Sequence, residues 1–341
     1  MIDLLTTLGN WLAEGNPVAA ATIVTHEGST PRSAGSKMIV RRDGTMFGTV
    51  GGGLVEAQVL KAASRVLDDG VRGIMDFDLT GELAAGADMI CGGKLRVFLE
   101  RIEQGLEGEL YSELLRRVER GERCLLAVPV DGGSRTLVPP DGPSLGAELP
   151  GALLESARSA GKNVHAPVVF TATYDRWFLE PWTGPSPLYI AGAGHVSRPT
   201  AQIAALAGFR VTVLDDRPEF ANVERFPQAH EIRTRGLKSC LEGLPIGPDA
   251  SLVIVTRGHI HDADVLAQAL RTPAGYIGMI GSRRKIDMLY KSLMEEGVSQ
   301  ARIQQVYAPI GIPIGAESPE EIAICIASEL IKIRADLRKN D

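Results

Sequence analysis

Residues 188–197 read LYIAGAGHVS, a short apolar run followed by a glycine-rich turn. The apolar run Leu188–Ala191 predicts a buried strand, and the spacing beyond it predicts a helix over about 196–207. A turn of this kind between a strand and a helix is typical of dinucleotide-binding folds. Gly192 would make the turn, and Gly194 would let a phosphate approach the helix N-terminus.

The sequence after residue 185 alternates short apolar strands with helices, which predicts a doubly wound parallel α/β sheet of Rossmann type over residues 185–341. The last helix should begin at Ser318, because serine at the N-cap, proline next and Glu321 at the third position form a capping box. The expected strands lie at about 188–191, 210–214, 230–233, 251–256 and 276–280.

The preceding residues predict an α+β domain at 1–103 and a second α+β segment with a linker at 104–184. The two segments align loosely, which leaves two interpretations open. They could be copies of a degenerate internal repeat, of which only the first keeps the triple glycine and the Cys-Gly-Gly. They could equally be two unrelated α+β units. Residues 182–187, rich in proline and glycine, are the expected linker.

The composition excludes several classes of protein. The chain has 341 residues and a net charge of −6, which disfavours nucleic-acid binding. It lacks a run of about 20 apolar residues and a signal-peptide pattern at its start, so we expect no membrane segment. Its four cysteines form no CxxC pair, which argues against a zinc site or disulfides. Unpaired cysteines are what we expect of a protein in the reducing cytoplasm.

The Rossmann-type segment contains three groups of candidate binding residues. His195 follows the glycine turn, and Asp215 lies at the end of the next expected strand, where a carboxylate could bind ribose. His259 follows a later strand and could face His195 across the crevice, for metal binding or proton transfer, whereas His261 and Asp262 more simply cap a helix. The third group, at another strand end, would attract an anion: Gly281, Ser282 and Arg283.

The amino-terminal segment contains a second set of candidates. Gly51, Gly52 and Gly53 precede an expected helix and could cradle an anion or a pterin-sized group, with Arg32 adding a donor. Cys91 is followed by Gly92 and another glycine. A thiolate there would suit a soft metal or accept sulfur, although a free cysteine is usually a small buried apolar residue.

Together these motifs resemble the XdhC/CoxI family. GSTPR, GTVGGGLVE and CGGKLRVFLE resemble its amino-terminal domain, and LYIAGAGHVSRP, VTVLDDRPEFA, YIGMIGSRRK and PIGIPIGAESPEE resemble its carboxyl-terminal Rossmann domain. Two departures are Ser197, where a smaller residue is common, and Arg257-Gly258, where many members carry histidine and aspartate. The second departure weakens the case for a metal site there.

The resemblance implies an accessory factor rather than an enzyme, with no catalytic residues of its own. Such a factor binds molybdenum cofactor, including dinucleotide forms, supports or protects its sulfurated state, and delivers it to a xanthine-dehydrogenase-type hydroxylase. The implied partners are that hydroxylase, a sulfur donor such as a cysteine desulfurase, and a second copy of the chain. The implied cofactor contacts are Cys91, toward molybdenum or its sulfur, Gly192, Gly194, His195, Asp215, Arg217, Gly281 and Ser282.

Two other functions fit parts of the sequence. An NAD(P)-dependent oxidoreductase would use the glycine turn for its nucleotide, with His195 or His259 as the catalytic acid. A ligand-free module that recruits a sulfur donor would hold no small molecule. The ligand bound by the purified protein separates these three functions.

Overall fold

The computed structural model describes residues 2–79, 92–163, 167–172 and 175–337. These residues form two compact units, Met1–Gly184 and Pro185–Asp341. The division between the units falls within the proline- and glycine-rich residues 182–187.

The first half of the N-terminal unit, called here the first repeat, contains one five-stranded antiparallel sheet with strand order β3-β2-β1-β5-β4. Strand β1 lies at its centre, and all but its last three residues are buried. The elements are α1 (Ile2–Ala13), β1 (Val18–Glu27), β2 (Lys37–Val40), β3 (Met46–Gly48), α2 (Gly53–Asp69), β4 (Gly73–Asp78) and β5 (Lys94–Ile102).

The second repeat follows with the same succession of elements and the equivalent strand order, β8-β7-β6-β10-β9. This shared topology is what the internal-repeat interpretation predicts, and two unrelated units would not be expected to have it. The elements are α3 (Leu106–Glu119), β6 (Cys124–Pro129), β7 (Thr136–Val138), β8 (Leu145–Gly146), α4 (Gly151–Asn163), β9 (Val168–Ala172) and β10 (Asp175–Trp182).

Equivalent residues of the two repeats have equivalent surroundings. Gly48 and Gly146 both have positive φ, and a Cβ on either would clash with a carbonyl oxygen on the neighbouring strand. Those oxygens belong to Lys37 and Arg135, which are themselves equivalent. The repeats share one apolar core, to which α1 and α3 contribute Leu5, Leu8, Leu110 and Leu114 among others.

Two buried ion pairs join the repeats in a crossed arrangement. Lys37 of the first repeat pairs with Glu180 of the second at 3.0 Å. Arg135 of the second repeat pairs with Glu100 of the first at 2.8 Å. Each repeat therefore supplies the counter-charge that the other needs, because an unpaired charge in this core would be strongly destabilising.

The C-terminal unit is a six-stranded parallel sheet of order β13-β12-β11-β14-β15-β16, which is the Rossmann order. The fold class is therefore confirmed. The elements are β11 (Ser186–Ala191), α5 (Ser197–Leu206), β12 (Phe209–Asp215), β13 (Glu231–Thr234), a 3₁₀ turn (Leu237–Ser239), β14 (Ser251–Ile254), α6 (His259–Ala269), β15 (Tyr276–Met279), α7 (Arg283–Glu295), α8 (Gln300–Ile303), β16 (Val306–Tyr307) and α9 (Pro319–Leu337).

Alternate residues of the central strand β11 face opposite sides of this sheet. Tyr189 and Ala191 belong to an apolar cluster with α6 and α7, while Leu188 and Ile190 belong to another with α5 and α9. The sheet is thus covered on both faces, as predicted. The predicted capping box is also present, since Ser318 Oγ accepts from the N–H of Glu321 and Glu321 Oε2 accepts from the N–H of Ser318.

Candidate functional site

The two glycines of the turn after β11 differ in the space around them. Gly192 has φ 110°, and a Cβ there would clash with the carbonyl oxygen of Val255 on the neighbouring chain segment. Among the described residues, a Cβ on Gly194 would meet no atom within 4 Å, and no side chain caps the N-terminus of α5. The second glycine therefore borders open space beside free helix N–H groups, where an anion can be held.

Asp215, at the end of β12, holds this turn in place. Its carboxylate accepts from the backbone N–H of Ala193 at 2.7 Å and from the N–H, Nε and Nη2 of Arg217 at 2.9–3.0 Å. Burial alone would raise the pKa of Asp215, which is 1% exposed, but these hydrogen bonds lower it on balance. All four acceptor positions of the carboxylate are filled, so binding to ribose hydroxyls would require it to release the turn.

Cationic and aromatic side chains surround the open space. The guanidinium of Arg217 lies 4.0 Å from the ring centroid of Phe220, and Arg257 pairs with Asp216 at 2.8 Å. A cavity of about 410 Å³ lies here. Three of the predicted residues line it, namely Gly194, His195 and Arg217, together with Phe220, Thr256 and Arg257.

The other candidates of this unit have mainly structural contacts. Asp262 is fully buried, accepts from Thr256 Oγ1 at 2.6 Å and pairs with Lys285 at 2.5 Å. The predicted helix cap at Asp262 is therefore wrong, because this residue lies inside α6 and its carboxylate binds the loop after β14 instead. Ser282 caps α7 by accepting from the N–H of Lys285, and Arg283 beside it is exposed. The side chain of His259 lies outside the described residues, and its backbone begins α6.

The N-terminal motifs converge. A Cβ on Gly28 would lie 3.0 Å from the carbonyl oxygen of Gly92, and one on Gly51 would lie 2.9 Å from Cβ of Pro31. Gly93 is equally close to the same loop, with the carbonyl oxygen of Ser29 at 2.7 Å from a Cβ placed there. Thus the GSTPR loop, the triple glycine and the Cys-Gly-Gly segment lie together, although they are far apart in sequence. Cys91 itself lies outside the described residues.

Glu56 of α2 folds back onto the triple-glycine loop. Its Oε1 accepts from the N–H groups of Val50 and Gly52 and from the hydroxyl of Thr49. Burial would raise the pKa of Glu56, but these hydrogen bonds lower it on balance. Part of the predicted anion cradle is therefore filled by the chain's own carboxylate. Within the described part of the chain, the N-terminus of α2 has no side-chain cap, and the space at Gly52 is open.

Comparison with known proteins agrees with this geometry. Residues 188–330 match the family described as XdhC Rossmann domain, and residues 11–78 match the XdhC and CoxI family. The chain belongs to the XdhC/CoxI family. A crystal structure described as a xanthine dehydrogenase, from Bacillus halodurans, superposes with a TM-score of 0.79 at 25% identity, over 98% of this chain and 96% of that one.

Three curated proteins are similar over nearly the whole chain. A Bacillus subtilis protein, named as a probable subunit of xanthine dehydrogenase, is 28% identical over 96% of this chain and 97% of its own length. The molybdenum cofactor insertion chaperone PaoD of Escherichia coli is 23% identical, over 95% and 85%. YqeB of Escherichia coli is 28% identical over 98% of this chain, which spans only 46% of YqeB.

The departures from the XdhC/CoxI pattern have visible roles. Ser197 is fully buried, and its hydroxyl has no hydrogen-bond partner among the described residues, which explains why a small residue is needed there. Arg257 reaches Asp216 on the neighbouring β12 loop. No local pattern in the sequence indicates this contact, or the stacking of Arg217 on Phe220.

The described cysteines are poor candidates for chemistry. Cys124, Cys240 and Cys325 are buried, and burial raises the pKa of the first two thiols to about 11. Within the described ranges, no group of three His, Cys, Asp or Glu side chains is arranged to hold a metal. No helix there is both long and apolar enough to span a bilayer.

Proposed function

We propose that this protein is an accessory factor that binds molybdenum cofactor, supports or protects its sulfurated form, and delivers it to a molybdenum hydroxylase of the xanthine dehydrogenase type. The names of its B. subtilis and E. coli relatives support the accessory role and the cofactor. The observation that carries the proposal is the convergence of the three N-terminal glycine motifs, which brings Gly92, next to Cys91, against the GSTPR loop.

The residues present fit such a cofactor. It supplies a metal with a transferable sulfur ligand, together with phosphate groups. Open space at Gly194, beside a helix N-terminus that no described side chain caps, suits a phosphate. Cys91 is the one thiol that we assign to the molybdenum or its sulfur, because the three others are buried.

The other proposed cofactor contacts are divided between the N-terminal unit and the Rossmann crevice. Arg32 and the triple glycine would bind the cofactor together with Cys91. His195, Arg217, His259 and Arg283 would hold the dinucleotide extension of the cofactor at the Rossmann crevice, with Gly281 and Ser282 beside them. We also propose a cytoplasmic location, a second copy of the chain and a cysteine-desulfurase-type sulfur donor as partners.

The alternative, an NAD(P)-dependent oxidoreductase, finds less support. In that function Asp215 would bind ribose hydroxyls, yet its four acceptor positions are already used by Ala193 and Arg217. NAD(P) at this crevice would therefore displace the contacts that hold the glycine turn.

The test is titration of the purified protein with molybdenum cofactor, followed by transfer to a cofactor-free hydroxylase. We expect stoichiometric binding, and activation of the hydroxylase beyond that given by free cofactor. Mass analysis of the ligand that copurifies serves as a second measurement. A nicotinamide in place of a molybdopterin would favour the oxidoreductase, and the absence of cofactor binding would overturn the proposal.

A further inference from the structure

A second cavity lies within the N-terminal unit and has a volume of about 340 Å³. That volume is enough for a small heterocycle. Both repeats contribute to its walls. The polar lining includes Arg32, Ser36, Lys37 and Thr49 from the first repeat, and Glu180 and Trp182 from β10.

The cavity is lined by one of the two buried ion pairs. The ammonium of Lys37 and the carboxylate of Glu180 are 3.0 Å apart, and each side chain is 5% exposed. An ammonium has three N–H donors. Among the described residues, Lys37 makes one hydrogen bond, to Glu180, and lies 5.5 Å from the ring centroid of Trp182. Donor capacity is therefore left over beside the cavity.

Trp182 adds a donor beside the Glu180 carboxylate. Its indole N–H lies near the Glu180 carboxylate and, with Lys37, opposes the rise in pKa that burial gives this glutamate. The indole nitrogen nevertheless makes no hydrogen bond of normal geometry in the described part of the chain, and the residue is 2% exposed. Buried polar groups in native proteins are normally paired with protein, water or ligand. Trp182 therefore belongs with Lys37 among the groups that act on the Glu180 carboxylate beside the cavity.

The equivalent pair in the second repeat serves as an internal comparison. Arg135 and Glu100 are fully excluded from solvent. Arg135 also donates to the carbonyl oxygen of Arg101 at 2.8 Å and pairs with Glu107. The cation of this pair thus contacts three acceptor groups, whereas Lys37 contacts one among the described residues. A buried crossed pair is present at both positions, and of these two described pairs the Lys37–Glu180 pair lines the cavity of about 340 Å³.

We infer that this cavity binds the 2-amino-4-oxopyrimidine edge of a pterin or guanine ring. Two adjacent N–H groups on that edge match the carboxylate of Glu180, and its oxo group matches the remaining donors of Lys37. The inference rests on the proposed function, because molybdopterin contains a pterin. Thr49 connects the two sites, since it lines the cavity and its hydroxyl accepts from the N–H of Gly51.

The ligand test compares molecules that differ at one group. Binding of 6-hydroxymethylpterin to the full-length protein is measured by calorimetry and compared with 6-hydroxymethyllumazine, in which an oxo group replaces the 2-amino group. We expect the pterin to bind at least about ten-fold more tightly, because the oxo group would face the carboxylate. Guanosine and inosine, which lacks the amino group, form the second pair. If the pterin binds more tightly than guanosine, the ligand of the cavity is a pterin, and the reverse result assigns a guanine. Equal binding within both pairs overturns the inference.

The protein test compares equivalent residues of the two repeats. Glu180→Gln should weaken pterin binding by at least about ten-fold, whereas Glu100→Gln should weaken it much less, although both remove a buried carboxylate from an ion pair. Trp182→Phe keeps the aromatic ring and removes only the N–H that lies near the Glu180 carboxylate. It should fold like the wild type and bind the pterin several-fold more weakly, so it decides the matter if Glu180→Gln does not fold. Wild-type affinity in Trp182→Phe would overturn the inference.

The two proposals fail in different ways. If the complete molybdenum cofactor binds equally to the wild type, Trp182→Phe and Glu180→Gln, the pterin subsite is wrong and the accessory function stands. If the cofactor does not bind the wild type, the accessory function is wrong. The comparison of 6-hydroxymethylpterin with its lumazine counterpart then still decides whether the cavity recognises this ring edge.

Discussion

Phe98 of the first repeat and Phe178 of the second face each other with ring centroids 4.8 Å apart and an interplanar angle of 36°. They are equivalent residues, each two positions before one of the buried glutamates, Glu100 and Glu180, and both are fully buried. This contact lies in the core that the two repeats share.

Replacing either phenylalanine should therefore destabilise the whole N-terminal unit. We expect Phe98→Ala and Phe178→Ala each to lower the free energy of unfolding by about 3–5 kcal/mol. The double variant should lose less than the sum of the two, because the aromatic contact is removed only once. Denaturant unfolding followed by tryptophan fluorescence measures this, since Trp11, Trp177 and Trp182 all lie in this unit. Strict additivity would show that the rings are not coupled.

The two glycines of the β11–α5 turn should respond differently to alanine. Gly192→Ala drives a Cβ into a backbone oxygen at a positive φ, so we expect a loss of at least about 2 kcal/mol of stability. Gly194→Ala meets no described atom within 4 Å and should fold normally. Thermal unfolding of the two variants side by side measures the difference.

Gly194→Ala should nevertheless weaken cofactor binding by about ten-fold, because the methyl group occupies the space beside the α5 N-terminus. Calorimetric titration with molybdenum cofactor checks this, and the thermal unfolding curve confirms that the variant is folded. Wild-type affinity in this variant would exclude the crevice as a binding surface.

Asp215→Asn should loosen the glycine turn. An amide cannot accept four hydrogen bonds, so we expect a loss of about 2–3 kcal/mol at neutral pH. Hydrogen exchange at the Gly192–Gly194 amides measures the local opening. Asp216→Asn is the control, because its pair with Arg257 is part-exposed and contributes about 0–1 kcal/mol.

The effect of Asp215→Asn should depend on pH. The pKa of Asp215 is lowered in the folded protein, so its stabilising contribution is fully present above the ordinary value of 3.8 and is lost as the pH falls through the lower folded-state pKa. The difference between wild type and variant should therefore shrink below about pH 3.8. An unchanged difference there would show that the carboxylate's charge is not responsible.

Thiol alkylation should distinguish the cysteines. With pKa values of about 11, Cys124 and Cys240 are thiolates in fewer than about one molecule in a thousand at pH 7.5. Iodoacetamide should leave both unmodified in the folded protein, as mass spectrometry of peptides will show. Rapid alkylation of Cys124 or Cys240 in the folded protein would contradict these raised pKa values.

Cys91→Ala should fold normally and retain less sulfurated cofactor, or activate the hydroxylase less, than the wild type. Cys124→Ala is the matched control, because it removes a buried thiol and changes only the packing. Equal cofactor retention and equal hydroxylase activation by Cys91→Ala and the wild type would remove Cys91 from the proposed function.

Local patterns predict the elements whose signals lie within a few residues. The glycine turn at Gly192, the N-cap at Ser282 and the capping box at Ser318 are all formed by neighbours in sequence. The edge strands β4 and β9 escape prediction; β4 has only six residues, of which only Phe77 is buried, so its apolar signal is weak. Helix α6 begins at His259, three residues before the predicted cap at Asp262, and that aspartate reaches back to Thr256 instead of capping the helix.

Contacts between distant residues could not be predicted in this way. Lys37 and Glu180 are 143 residues apart, and no local pattern relates them. Asp215 lies at the end of its strand as predicted, yet its bond to the N–H of Ala193 depends on how β11 and β12 pair. The sequence leaves the internal repeat and two unrelated units equally open, and the common strand order favours the repeat.

The crossed ion pairs also bear on how the chain is made in the cell. When the first repeat leaves the ribosome, Glu180 and Arg135, the hydrogen-bonding partners of Lys37 and Glu100, have not yet been synthesised. We therefore expect the nascent first repeat to remain incompletely folded until the second is synthesised. A chain that terminates between the repeats would expose its shared core and become a substrate for proteases.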